Sequence, residues 1–219
     1  MAGWNHSCGI RAGGSLACWG EGTHSQTVPP VDLFTQVAVG AMHACGIVSG
    51  GSVVCWGSDT LGESKPPAGA FIQVAVGWEF SCGVRTDGSV DCWGSNKFGQ
   101  SAPPPGVFTH VAVGVGHSCG VRDGGSIVCW GKDEDGAMNP PAGSFSQVTA
   151  GWDHACGIRT DGSVVCWGND ENGRTTPPDG AFTQLAAGGV HTCGIRTDGS
   201  VVCWGLDNLG QSTPPEYVE

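Results

Sequence analysis

Positive charge is scarce in this chain. Nine Lys and Arg stand against 20 Asp and Glu, a formal net charge of −11. Neutralising a nucleic-acid backbone or an anionic lipid surface needs clustered cations, so neither nucleic acid nor acidic membrane is an expected partner. Long apolar runs are missing too: none approaches the ~20 residues of a membrane-spanning helix, so no membrane insertion is expected. The N-terminal stretch lacks the basic start and apolar core of a secretory leader, so a secreted form would have lost its leader. No window carries an amphipathic helical period. A serine elbow, a phosphate loop, an activated Cys–His pair and paired carboxylates in a cleft are all absent. An enzyme is therefore not expected, nor is a cofactor.

Glycine (39), cysteine (12) and tryptophan (9) are plentiful, and they are periodic. Cys18-Trp19-Gly20 returns at Cys55, Cys92, Cys129, Cys166 and Cys203, at a constant step of 37 residues. A second cysteine stands ten positions before each triplet, at Cys8, Cys45, Cys82, Cys119, Cys156 and Cys193. A fixed period of this length means one supersecondary unit stacked repeatedly. No composition shift interrupts it, so residues 1–219 read as a single domain of six repeats.

Within the third repeat, short β-rich runs are separated by Gly, Asn, Asp and Pro. They predict strands A (Ile72–Val76), B (Ser81–Arg85), C (Ser89–Trp93) and D (around Gln100–Ala102). Thr86-Asp87-Gly88 fits a three-residue hairpin with glycine in the left-handed region. Pairing then sets Val84 opposite Val90 and Cys82 opposite Cys92, within reach of a disulfide. The same register predicts Cys8–Cys18, Cys45–Cys55, Cys119–Cys129, Cys156–Cys166 and Cys193–Cys203, and with them an extracellular or periplasmic location. Buried free thiols in a reducing cell are the alternative. Zinc is disfavoured, because pairs ten apart on an extended hairpin do not form a Cys-x2-Cys knuckle.

Strand C is apolar on both faces, as a strand sandwiched between sheets must be. Four-stranded sheets covered on both sides by copies of themselves are propeller blades. The expected fold is thus an all-β propeller of six blades, with every Cys-Trp-Gly indole, Trp19 included, packed between blades. Aligned by 37, Glu219 falls on Phe34 and Met1 on Ala38. Tyr217–Glu219 and Met1–Gly3 would then share one strand A in a closed ring; an open ring from a seven-bladed parent is the competing arrangement.

The frame Val-Ala-Val-Gly-x-x-His-x-Cys-Gly-Ile-Arg-x-Asp-Gly-Ser-Val-x-Cys-Trp-Gly, followed by Gly-Gln, resembles the regulator of chromosome condensation repeat. Its 37-residue length and Pro-Pro linker are similar to the branch holding the propeller-type β-lactamase inhibitor proteins. Two departures stand out: that family usually has seven blades, and the inhibitors lack this cysteine pair. The resemblance implies a propeller, and its functions range from nucleotide exchange and chromatin binding to light reception and enzyme inhibition, so fold alone does not transfer one.

Strand parity puts the A–B and C–D loops on one face, and this is where the copies differ. The A–B loops carry Trp4-Asn5, Ala41-Met42, Trp78-Glu79 and Trp152-Asp153, with tryptophan in alternate blades. The C–D tips add His24, Leu61, Phe98, Asp135, Asn172 and Leu209. Exposed aromatic and apolar tips are what a protein-binding surface needs. Trp4, Asn5, Met42, Trp78, Glu79, Trp152, Asp153, Leu61, Phe98 and Leu209 are the candidate site. Indoles packed only between blades are the bland alternative. A lectin-like surface stacking sugars on indoles is a second functional reading, and a structural repeat of a larger extracellular protein a third.

His6, His43, His117, His154 and His191 share one repeat position, filled by Phe80 in the third copy. Tolerance of phenylalanine points to buried imidazoles bonded to backbone and not to a metal site. Asp133-Glu134-Asp135-Gly136 and Asp170-Glu171-Asn172-Gly173 hint at calcium loops but lack the remaining ligands, so turns are expected.

Overall fold

A three-residue turn sets the register of each blade. In the third repeat Arg85 N–H donates to Ser89 O and Gly88 N–H to Arg85 O, at 2.8 and 2.9 Å. Gly88 sits at φ +81°, where an L side chain would be strained. Asp87 Oδ1 accepts both the N–H and the hydroxyl of Ser89, at 2.9 and 2.6 Å. From this turn Val84 pairs with Val90 and Cys82 with Cys92, in the expected register.

A computed structural model describes residues 3–133 and 135–214. The first blade contains β1 (His6–Ile10) and β2 (Leu16–Gly20). The second holds β3 (Phe34–Val39), β4 (His43–Val48) and β5 (Val53–Gly57). The third holds β6 (Phe71–Val76), β7 (Phe80–Arg85) and β8 (Val90–Gly94). The fourth holds β9 (Phe108–Val113), β10 (His117–Arg122) and β11 (Ile127–Gly131). The fifth holds β12 (Phe145–Ala150), β13 (His154–Arg159) and β14 (Val164–Gly168). The sixth holds β15 (Phe182–Ala187), β16 (His191–Arg196) and β17 (Val201–Gly205). Five sheets are antiparallel in the order A–B–C, and the first, among the described residues, is the antiparallel B–C pair β1–β2. Apart from a one-turn 3-10 segment at Glu171–Gly173, the described residues are strands and turns. None of their helices is long and apolar enough to cross a membrane.

The fourth segment differs from the expectation. Gln100–Ala102 is not strand D but a turn, closed by a side chain. Gln100 Oε1 accepts the N–H of Phe98, and its Nε2 donates to Ser95 Oγ. Gln26 and Gln211 accept the His24 and Leu209 N–H groups in the same way. The Gly-Gln motif is thus a turn lock: the amide takes the place of a strand partner.

All twelve cysteines are bridged as the register predicts, with Cα atoms 4.0–4.1 Å apart. Each bridge crosses a B–C pair and lies in the layer between blades.

The core is a series of junctions between blades. In the second-to-third junction Cys45, Ile47 and Val53 meet Phe71, Val74 and Trp93 of the next blade. Trp93 Nε1–H also donates to Glu63 O, in the preceding blade's C–D turn, at 2.9 Å. Trp56, Trp130, Trp167 and Trp204 repeat this bond to Gln26, Gln100, Ala137 and Arg174. Near the axis, glutamines join strand A to strand A: Gln36, Gln73 and Gln147 accept N–H groups from Val74, Val111 and Leu185.

Trp19 is the exception, and it corrects the expectation that all six indoles pack between blades. It is 59 % exposed, against 6–8 % for its five counterparts. The strand expected to join Tyr217–Glu219 to Met1–Gly3 falls, Gly3 apart, outside the described residues.

Candidate functional site

Hydrogen bonds fix the two kinds of loop on a common face. The first N–H after strand C donates to the A–B loop: Ser58 to Met42 O, Ser95 to Glu79 O, Asn169 to Asp153 O, each 2.9 Å. The hairpins and linkers gather at the other end, where Thr86 donates to Ala70 O and Phe108 to Gly88 O. The glycine closing strand C permits this approach. At Gly94 (φ +95°) a Cβ would press on Glu79 O and Phe80 Cα.

On the A–B/C–D face the three loop indoles meet. Trp4 lies 5.1 Å from Trp78 and 5.0 Å from Trp152, centroid to centroid, tilted and edge-on respectively. They remain 45 %, 36 % and 40 % exposed. Beneath them an axial cavity of about 350 Å³ is walled by the ends of the innermost strands, including Val39, Val76, Val113 and Ala150. Leu209, 88 % exposed, lines its edge.

Beside the cluster, Trp78 and Trp152 form opposite walls of a second cleft, of about 410 Å³, above the fourth blade. Glu79, Phe98 and Asp153 line it, as do Val115, Gly116, Lys97 and Lys132. Both ammonium groups lie over the Phe98 ring, at 5.3 Å for Lys97 and 5.0 Å for Lys132, a cation–π arrangement. Asp153 is held by Arg174 Nη1 at 2.7 Å. That guanidinium is almost wholly buried and also donates to Glu171 O. The cleft is thus an aromatic trough with a mixed-charge rim in an otherwise acidic protein.

Six of the ten candidate residues therefore converge: Trp4, Trp78 and Trp152 in the cluster, Glu79, Phe98 and Asp153 in the cleft. Leu209 lines the axial cavity instead. Asn5 turns outward to Glu21, donating to its carboxylate at 2.8 Å, and with Thr23 it holds Glu21 below the usual carboxylate range. Met42 lies in the second blade's A–B loop, and Leu61 is exposed on the second blade's turn; neither lines the cleft or the cavity. The two lysines were not singled out in the sequence. Lys132 is far from Phe98 along the chain, and only the packing of blades three and four brings them together.

In the second blade the turn lock is Glu63, not Gln. Its buried carboxylate accepts Ser58 Oγ–H at 2.6 Å, Leu61 N–H at 2.7 Å and Thr60 N–H at 3.2 Å. Burial pushes its pKa up, yet these bonds outweigh burial and the net shift is downward.

His6, His43, His117 and His154 are buried and His191 is half-buried, and the partners of His43 and His154 are hydroxyls, not the backbone groups expected. His43 Nε2 meets Ser81 Oγ of the next blade at 2.8 Å, and His154 Nε2 meets Thr192 Oγ1 at 2.9 Å. Burial lowers their pKa values to about 4 and about 3. At His6 the facing residue is Ala44, and neither ring nitrogen has a partner among the described residues. Phe80 fills the same slot, wholly buried. Asp170 closes its loop as a turn, accepting Thr175 N–H and Thr176 Oγ1–H.

Six segments, 2–26, 34–63, 71–100, 108–137, 145–174 and 182–211, match the family described as Regulator of chromosome condensation (RCC1) repeat. The chain belongs to the regulator of chromosome condensation repeat family. No curated protein sequence matches it. Among solved structures it is similar to the CRINKLY WD40 ectodomain of the Arabidopsis thaliana receptor kinase ACR4, at 32 % identity and TM-score 0.78. That match covers 93 % of this chain and 77 % of the ectodomain. The entire ectodomain of the Physcomitrella patens receptor kinase CR4 matches at 24 % identity and TM-score 0.79, over 93 % of this chain. This chain spans only 60 % of that ectodomain. Yeast RCC1 (Prp20), solved bound to Kap60, shares the fold at 15 % identity and TM-score 0.80, covering 94 % of this chain and 69 % of that one. Regulator of chromosome condensation repeats thus supply the propeller, and the loop face supplies what is particular to this member.

Proposed function

We propose that this propeller is a non-enzymatic module that recognises a protein partner through its A–B/C–D face, in an extracellular or periplasmic setting. The observation behind this reading is the convergence of Trp4, Trp78 and Trp152 into one half-exposed cluster beside the Phe98 cleft. Large aromatic anchors next to a fillable pocket, ringed by polar groups, are the arrangement of binding hot spots. The lysine and carboxylate rim offers both charge signs for setting register. Protein binding also belongs to a related propeller: Prp20, with Kap60, Gsp1p and histones. The six disulfides and the ectodomain relatives support the oxidising location.

The lectin-like alternative fits the geometry less well. A pyranose stacks on a free, flat indole face, whereas Trp4 packs against both other indoles and stands edge-on to Trp152. Probing a secreted-protein array and a glycan array with the oxidised chain separates the two. The proposal expects saturable binding to a protein that survives deglycosylation. Binding only to glycans overturns it.

A further inference from the structure

The A–B loops of the third and fifth blades carry indoles, and the fourth blade between them carries Val115 and Gly116. The cleft walled by Trp78 and Trp152 is the gap this leaves. Folding does not demand the glycine. Gly116 is not among the glycines held at positive φ. A Cβ there would meet Lys132 Cβ and Cδ at 3.4 and 3.6 Å and Phe98 Cδ2 at 4.0 Å, ordinary van der Waals contact. Lys132 and Phe98 both line the cleft, so a longer side chain at this position would grow into it. Glycine keeps the space open.

The cleft also departs from the charge of the chain around it. Lys97 and Lys132 both line it, while the remaining lysine, Lys65, is paired with Asp59 at 2.8 Å on the second blade. Arg85, Arg122, Arg159 and Arg196 end their B strands, at the opposite, hairpin end. Arg174 offsets the charge of Asp153. Among the described residues, Lys97, Lys132 and Arg174 thus outnumber Glu79 and Asp153 here, in a chain of 9 basic and 20 acidic residues. Lys97 has no carboxylate partner among the described residues; its ammonium rests over the Phe98 ring. An ammonium with one side against a ring keeps further N–H donors for a carboxylate.

We infer that this cleft is the socket for an aromatic side chain standing beside an acidic residue on an exposed segment of the partner protein. The inference rests on the protein-binding reading of the loop face and names what that face selects. The ring enters between Trp78 and Trp152, which present aromatic surface from both sides and are 36 % and 40 % exposed. Edge-on or offset contact between rings is favourable there. The neighbouring carboxylate reaches Lys97 at the Phe98 wall, where partial exclusion of water strengthens the attraction between opposite charges. A cationic occupant, such as a quaternary ammonium, is disfavoured by the same groups. The Phe98 ring it would seek already carries the ammonium groups of Lys97 and Lys132. An aromatic side chain with no acidic neighbour fills the space but leaves the charge complementarity unused.

The test selects random-sequence peptides displayed on phage against the oxidised chain, then measures synthetic copies of the enriched peptides by calorimetry. The expected peptides carry Phe, Tyr or Trp next to Asp or Glu. Lys97→Glu weakens their binding by about tenfold or more, and replacing the peptide's acidic residue by Lys restores affinity for that variant. Gly116→Leu fills the cleft with Lys97 in place and weakens binding as well. Intact disulfides by mass and native circular dichroism certify each variant's fold. Three results overturn the inference while leaving the loop-face reading standing: no peptide is enriched, the enriched peptides lack an acidic residue, or their binding is indifferent to Lys97→Glu. Peptides bound undiminished by Trp4→Ala/Trp78→Ala/Trp152→Ala would overturn both.

Discussion

The indoles of Trp4 and Trp152 touch edge to face, 5.0 Å between centroids, although they belong to the first and fifth blades. Trp4 also touches Trp78, which makes it the hub of the cluster. An aromatic pair is worth about 0.5–1.5 kcal/mol beyond its buried area. Trp4→Ala removes two pairs and Trp78→Ala one, so the first is expected to lower stability about twice as much, by roughly 1–3 kcal/mol. Urea unfolding of the two variants checks this. Equal effects would mean that Trp4 does not bridge.

Trp56 and Trp19 sit in the same Cys-Trp-Gly triplet and are opposite in burial. Trp56→Ala leaves a cavity between blades and an unpaired Gln26 carbonyl, and is expected to cost about 3–5 kcal/mol. Trp19→Ala is expected to cost less than about 1 kcal/mol, as exposed substitutions do. Denaturant midpoints at equal slope measure both. A Trp19 cost matching that of Trp56 would show that Trp19, too, packs between blades.

Glu63 is replaceable by the residue its counterparts use. Gln100 locks the equivalent turn by accepting Phe98 N–H and donating to Ser95 Oγ; Ser58 stands where Ser95 does. Glu63→Gln is therefore expected to change stability by under about 1 kcal/mol at pH 7. The wild-type carboxylate has a depressed folded pKa. Its contribution is present above the unfolded carboxylate value and is lost as pH falls through the folded one. The Gln variant lacks this loss, so its stability below about pH 4.5 declines less steeply. An identical acid limb in both proteins refutes the assignment.

A second acid window belongs to the imidazoles. His43 titrates at about 4 when folded, below its ordinary 6.5, so the unfolded chain takes up the proton first. Its stabilisation is present above pH 6.5 and declines as pH falls toward 4, by on the order of 3 kcal/mol. His43→Phe, patterned on Phe80, should flatten stability between those limits. Chemical denaturation at pH 7.5, 5.5 and 4.5 reads the slope. No change in slope would place the titration elsewhere.

The Cys82–Cys92 register was legible because an Asp-Gly turn of fixed length determines which residues face each other, and identical spacing repeats it. The turn at Gln100 was not, since a glutamine that bonds its own loop looks in sequence like the start of a strand. Hydroxyl partners for His43 and His154 were hidden for another reason: they lie on neighbouring blades, and only the stacking offset brings them together. Trp19 was the least legible of all. Its triplet matches Trp56 letter for letter, and the difference lies in what neighbouring surface reaches it. In the site, alternation of tryptophan announced the cluster, while the lysines over Phe98 emerged only from packing.

The central claim is that the indole cluster and its cleft bind a protein, and one paired measurement tests it most directly. Affinity for a partner found on the secreted-protein array is determined for wild type, for Trp4→Ala/Trp78→Ala/Trp152→Ala, and for Thr86→Ala/Thr160→Ala on the opposite face. Intact disulfides by mass and native near-ultraviolet circular dichroism certify each fold. The account predicts at least a hundredfold loss for the tryptophan variant, as removal of hot-spot aromatics of about 3 kcal/mol or more implies, and unchanged affinity for the threonine variant. Undiminished binding by a folded tryptophan variant would contradict it.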